Sequence, residues 1–286
     1  MNTWYLPAVF ALFLFGIQRF LYKVSAAERC NTAWTTFSFM GTVALISALF
    51  LFARNEAIFN PYLLIALSLI NGLSFLTSTI MTIEALKYIP TSRAMPLIRL
   101  NTGVVVVLSV ILFHDRLSAC QIAGIIIAIT VIIMLARRPA VDIGPENMAA
   151  RGFVMASIAL VSGSIAALSS KYAALYVNKL AFITLSYFLS MILSLPLRGF
   201  LRGPEVSTNH GKALLLGFSM GIFNFAGFYA LLHALERGPL SVIMPVTGMY
   251  FVVVIALSVL FYKENLDLFR CLVVVLTVVS IVLMRF

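Results

Sequence analysis

The sequence predicts an all-α membrane protein, ten transmembrane helices in two inverted five-helix repeats, and three observations carry that expectation. Of 286 residues, 62% are hydrophobic and only 10% charged, with a mean hydropathy of +1.06, whereas soluble domains are roughly half apolar and a quarter charged. Stretches such as Val104 to Phe113 and Ile122 to Ala136 are continuously apolar. Lipid supplies no hydrogen bonds, so such segments must satisfy their own backbone, and unbroken apolarity suits a helix where a barrel strand would alternate. Finally, the stretch Glu84 to Asn101 recurs as His233 to Tyr250. A single offset of 149 positions pairs Ala85 with Ala234, Leu86 with Leu235, Pro90 with Pro239, Ser92 with Ser241, Met95 with Met244 and Pro96 with Pro245, and continues through Leu108/Leu257, Ser109/Ser258 and Leu117/Leu266.

A span takes about 20 apolar residues. In chain order such runs cover 3–23, 32–53, 61–86, 92–113 and 117–136, then 152–175, 180–198, 212–235, 239–261 and 266–285. The first ends at Ser25-Ala26-Ala27, which resembles a signal-cleavage site, but no basic segment precedes it and Arg19 and Lys23 interrupt it, so an uncleaved span is expected. Pro61 and Pro239 open the third and ninth runs, where a missing N–H is harmless and a fixed φ helps. Trp4, Tyr5, Trp34, Tyr62, Tyr88 and Tyr262 stand at run ends, as an interfacial aromatic belt requires. Connections are short except Arg137 to Arg151 and Arg198 to Gly211, where Pro139, Gly144, Pro145, Gly203 and Pro204 break helix. The first of these divides the chain into a repeat at 1–137, a linker at 138–151 and a second repeat at 152–286. Five spans per half is an odd number, so the second copy crosses the opposite way. Such inverted repeats build alternating-access transporters, with substrate near the midplane where the halves meet.

The net charge of +10 does not mark a nucleic-acid binder, because the Lys and Arg lie between apolar runs and form no basic stripe. Odd-numbered loops hold most of them, including Arg19, Lys23, Lys87, Arg137, Arg138, Arg151 and Lys212, which by the positive-inside rule places both termini outside. Cys30, Cys120 and Cys271 form no CxxC and read as buried small hydrophobes, so neither disulfide nor metal is expected. No DxxD or HxxxxD cluster is present, which argues against a membrane enzyme of metal-diphosphate chemistry. No cofactor is implied. The expected partners are the lipid bilayer and a small-molecule substrate, and the expected assembly is a monomer or homodimer.

Pro90-x-Ser92-x-x-Met95-Pro96, followed by His114-Asp115 and Leu117-x-x-x-Gln121-x-x-Gly124, and its second copy Pro239-x-Ser241-x-x-Met244-Pro245 with Lys263-Glu264 and Leu266, resemble the EamA branch of the drug/metabolite transporter superfamily over essentially the whole chain. The resemblance implies a ten-helix carrier of small organic solutes, commonly an exporter of amino acids or other metabolites in a bacterial inner membrane, with both termini cytoplasmic, against the charge distribution; the alternatives are an exchanger of phosphorylated or nucleotide-linked solutes, favoured only by the basic residues, and a non-transporting membrane subunit. His114-Asp115 stands where the family often has Gly-Glu, and the second copy lacks the Gln and Gly after Leu266.

Several residues are candidates for transport. Pro96 and Pro245 remove a helical hydrogen bond a few residues inside their spans, so they either bend the helix at the repeat interface or set its start. Arg99 is a charge about two turns inside the fourth span, on one face with Pro96 and Gly103. It reads either as a cavity-facing anion binder or as a structural Arg, and its repeat mate is Gly248, so the fold does not require the charge. Asn71, Ser74, Ser78 and Thr82 form a polar stripe that suits a pathway or helix packing equally. Asn224 shares a face with Gly217 and Gly221, a pattern of close packing. Tyr229 and Tyr250 could hydrogen-bond or stack on substrate, although packing is the default for aromatics in so aromatic a chain, and Arg19, Lys23 and Lys171 either add positive potential at the cavity mouths or snorkel to the interface. Glu84 and His233 are repeat mates that titrate and are candidates for proton coupling, although both lie near span ends.

Overall fold

Eleven helices are defined in the computed structural model, which describes residues 3–56, 60–89, 94, 97–115, 117–136, 146–194, 196, 210–262 and 268–286. They are α1 (Tyr5–Ala27), α2 (Thr32–Arg54), α3 (Pro61–Tyr88), α4 (Asn101–Phe113), α5 (Ala119–Ala136), α6 (Glu146–Tyr176), α7 (Lys179–Ser194), α8 (His210–Arg237), α9 (Leu240–Gly248), α10 (Phe251–Tyr262) and α11 (Leu268–Leu283). No strand occurs among the described residues. Six helical stretches, Tyr5–Ala27, Thr32–Arg54, Pro61–Tyr88, Ala150–Tyr176, His210–Arg237 and Leu240–Phe261, are long and apolar enough to cross a membrane. Four shorter apolar helices, Leu97–Phe113, Ala119–Met134, Lys179–Ser194 and Cys271–Leu283, complete the bundle.

Local chemistry sets the helix ends. Asn31 caps α2, its side chain accepting from the Ala33 and Trp34 N–H groups, and Pro61 stands at the first turn of α3. Ser118 and Gln121 form a reciprocal capping box on α5: the Ser118 N–H donates to Gln121 Oε1 at 3.1 Å and the Gln121 N–H to Ser118 Oγ at 3.2 Å. Gly124, three residues on, is where α11 crosses. Ser280 Oγ donates to its carbonyl at 2.8 Å, and a Cβ there would sit 2.8 Å from Met284 Cγ. The Gln and Gly of the first-copy motif thus serve a helix start and a helix crossing.

Packing repeats under exchange of the halves. Helix α1 packs on α8 as α6 packs on α3; α2 packs on α8 as α7 packs on α3; α1 touches α10 as α6 touches α4; α2 meets its mate α7, and α5 meets its mate α11. Helix α3 and its counterpart α8 run in opposite senses. At the start of α2, Thr32 binds Glu84 near the end of α3, whereas at the end of α2, Arg54 binds Tyr229 near the end of α8. Lipid tails give no hydrophobic drive between helices, so small residues and polar bonds hold the contacts. A Cβ on Gly217 would lie 2.4 Å from the Thr35 carbonyl oxygen, and one on Gly16 2.4 Å from Val253 Cβ.

Polarity is arranged inside out. Gln18, Asn71, Glu84, Arg99 and Asn224 are buried, while Leu6, Phe52, Leu215 and Leu260 are exposed. A belt of exposed large apolar side chains on this scale requires lipid. Two expectations change. Cys30 is buried, but Cys120 and Cys271 are exposed, because α5 and α11 bury other faces against each other. Trp4 is buried rather than interfacial, since Gly238 leaves a gap that its indole fills.

Candidate functional site

The site begins with two broken spans. Leu100 is a turn residue between Arg99 and the start of α4, and its N–H bonds back three residues, to the Leu97 carbonyl. In the other half, Met249 and Tyr250 separate α9 from α10, and the Tyr250 N–H bonds back three residues to Thr247. Leu100 and Met249 are repeat mates, so the two interruptions occupy matched positions. Pro245 supplies a cause for the second, because it lacks the N–H that would bond the Ser241 carbonyl. Pro96 lies outside the described residues.

Between these breaks and the middles of α1, α3, α6 and α8 lies a cavity of about 110 Å³. Phe15, Phe75 and Phe228 give it aromatic walls; Gln18, Arg19, Ser78, Arg99, Asn101, Ser170, Asn224, Thr247 and Tyr250 give it polar ones. The Arg99 guanidinium lies 3.5 Å from the Tyr250 ring centroid, and that of Arg19 lies 5.5 Å from the same ring and 4.8 Å from Tyr22. Such stacking stabilises a desolvated cation by about 2 kcal/mol, against roughly 2.5–3.5 kcal/mol for an Arg placed inside a membrane. Arg99 Nε and the Tyr250 hydroxyl are buried without a hydrogen-bond partner among the described residues. No acidic side chain stands among the described lining residues.

A chain of hydrogen bonds backs this wall. The Tyr187 hydroxyl donates to Asn224 Oδ1 at 2.5 Å, Asn224 Nδ2 donates to Gln18 Oε1 at 3.0 Å, and Gln18 Nε2 donates to the Tyr22 hydroxyl at 2.9 Å. With both amides committed at these atoms, Gln18 and Asn224 are fixed in orientation, which is what a preformed site needs.

The sequence-predicted candidates divide by position. Arg99, Ser78, Asn224 and Tyr250 line the cavity. Ser78 also donates to the Ala159 carbonyl at 3.0 Å, joining α3 to α6. Asn71 turns away: its Nδ2 reaches the Ala166 carbonyl, Ser169 Oγ and Ser170 Oγ, each at 2.9 Å, so it fastens α3 to α6. Ser74 is half-buried and off the cavity wall. Tyr229 lies near one end of the bundle, where its hydroxyl accepts from Arg54 Nη1 at 2.7 Å and its ring meets His233 edge-on at 4.6 Å. His233 Nδ1 is 3.6 Å from Glu236. Glu84 is buried near the opposite end, accepting from Thr32 Oγ1 at 2.5 Å and Lys87 Nζ at 2.7 Å. The two repeat mates therefore sit at opposite ends of α2, and neither touches the cavity. Pro245 lies in α9, one turn before the break.

Of the basic residues expected at cavity mouths, Arg19 is in the cavity itself. Lys171 instead donates to the Leu235 and Gly238 carbonyls at 2.6 and 2.8 Å, satisfying the C-terminal end of α8. Gln18, Asn101, Ser170 and Thr247 are lining residues that sequence reasoning passed over. The adjacent polar pair Gln18-Arg19 inside the first apolar run was the available signal for the first of them.

Family comparison gives this geometry a context. The EamA-like transporter family matches residues 2–137 and again residues 150–286, the same two halves that the packing exchanges. The chain belongs to the EamA-like transporter family. This EamA-like protein is accordingly an integral membrane protein and a transporter of the drug/metabolite transporter superfamily. Among curated proteins none matches it. One solved crystal structure, described only as that of a protein, has the same fold, with a TM-score of 0.79 at 16% identity over 100% of this chain and 99% of the other.

Proposed function

We propose that this transporter is a secondary carrier for small organic metabolites, amino acids or other anion-bearing solutes, which it exports across a bacterial inner membrane. Access alternates between two inverted five-helix halves, 1–137 and 152–286, joined by the linker 138–151. The pairing of helices under exchange of the halves, and the opposite senses of α3 and α8, support this reading. Matched breaks at Leu100 and Met249 are the places where each half could hinge without breaking a continuous helix.

One observation carries the choice of cargo: Arg99 is buried beside the cavity, stacked on Tyr250, with a guanidinium nitrogen that no described residue satisfies. A buried cation without a counter-charge is costly, and a carboxylate or phosphate entering the cavity would supply both the charge and the acceptors. A thermal-shift screen of the purified protein against amino acids, organic acids and sugar phosphates finds the ligand, because binding to the folded state raises its stability. In vesicles reconstituted with that ligand, Arg99→Ala is expected to abolish counterflow and Arg99→Lys to keep part of it. Unchanged counterflow in the Ala variant would sink the assignment.

A further inference from the structure

Resting on that reading of the cavity, we infer that the cargo is a small dianion, a dicarboxylate or a phosphate monoester, with Arg99 holding one negative charge and Arg19 the other. The two guanidinium groups flank one ring, at 3.5 and 5.5 Å from the Tyr250 centroid, and both belong to the cavity wall. Arg19 Nε, like Arg99 Nε, is buried without a hydrogen-bond partner among the described residues. Two like charges this close, with no acid among the described lining residues, leave the empty site with uncompensated positive charge. A monoanion neutralises half of it; a dianion neutralises all of it, and each arginine presents a planar fork suited to carboxylate or phosphate oxygens.

Symmetry shows that the pair is an addition to the fold. The repeat mate of Arg99 is Gly248, and the stretch of α6 that matches the Arg19 region of α1, Gly163 to Ser170, holds no charge, so neither charge is duplicated in the second half. The cavity, of about 110 Å³, is compact, which suits a small dianion.

The test compares ligands of similar skeleton that differ in charge. Purified full-length protein is titrated with succinate and with butyrate, which share a four-carbon chain, and with inorganic phosphate and glycerol 3-phosphate against glycerol, all at matched ionic strength, with the shift in melting temperature as the readout. At least one dianion is expected to bind tenfold or more tightly than its less charged counterpart, and the succinate and phosphate arms tell carboxylate from phosphate cargo. Arg19→Gln is expected to weaken that dianion about tenfold or more and to weaken butyrate distinctly less, in line with loss of one charge-assisted bond pair. Arg19→Lys keeps the charge and is expected to retain most of the affinity, which separates electrostatics from folding should the Gln variant fail to purify. Butyrate binding as tightly as succinate, a zwitterionic amino acid binding more tightly than every dianion, or no shift with any dianion would each overturn the inference. The first two outcomes leave the Arg99 assignment intact, because that assignment fails only on unchanged counterflow by Arg99→Ala.

Discussion

Asn71 and Asn224 are the same residue type on equivalent helices, yet only one of them faces the cavity. On α3, the Asn71 amide nitrogen serves three acceptors on α6 and holds two helices together. On α8, Asn224 links Gln18 to Tyr187 along the cavity wall. Asn71→Ala is therefore expected to lower stability by about 1 kcal/mol, the scale of a polar bond between membrane helices, and to leave the half-saturation of transport unchanged; unfolding in detergent and a transport titration check the two halves of the expectation. Arg99 was legible from sequence because a charge inside an apolar run must find water, a partner or a ligand. Tyr229 was not, because its surroundings depend on Arg54, which lies 175 positions away in the chain and meets its hydroxyl only once α2 and α8 pack side by side. Ser74 and Ser78 sit one helical turn apart, and only the packing of α6 decides that Ser78 alone reaches the cavity.

Helices in this protein are placed by close approach more than by side-chain bulk. The clearest case is the crossing of α2 and α8, where Gly217 and Gly221 admit the backbone of α2. A Cβ on Gly217 would lie 2.4 Å from the Thr35 carbonyl oxygen, and backbone cannot rotate away as a side chain can. Gly217→Ala is expected to force the helices apart at a cost of about 1–3 kcal/mol, seen as a lower melting temperature or reduced yield of folded protein; an unchanged melting temperature would mean that the crossing has slack. This contact was readable in the sequence as a pair of glycines one turn apart. The breaks at Leu100 and Met249 were readable only through Pro96 and Pro245, which announce a disturbance but not its form: the interruption falls a few residues beyond each proline. Asp115 is a further case. Placed in the sequence as part of a fold signature, its carboxylate accepts from Ser109 Oγ, from Ser241 Oγ and from the Ser241 N–H, tying the end of α4 to the first turn of α9. The motif was visible, but its partner lies in the other half and could not be.

At the scale of the whole molecule, the two arginines stand differently with respect to the symmetry that exchanges the halves. A Cβ on Gly248 would lie 3.8 Å from Arg99 Nη1, so Arg99 rests against its own repeat mate and therefore near the axis. Arg19 lies on α1, and the matching stretch of α6, Gly163 to Ser170, carries no charge. Under the alternating access proposed above, a charge near the axis meets the solute alike whichever half opens. A charge carried by α1 alone meets it unequally, so the inward-open and outward-open forms hold the solute with different strength. The carrier is then rectified: its half-saturation concentration differs between the two faces of the membrane, while the overall equilibrium, which no carrier can shift without an energy source, is untouched. Arg19→Leu, which leaves α1 as uncharged there as the matching stretch of α6, is expected to bring the two half-saturation values to within about threefold of each other, in keeping with removal of a differential affinity between two states. Zero-trans influx and efflux in vesicles of defined orientation measure both, and an asymmetry that survives the substitution would place its origin elsewhere in the chain.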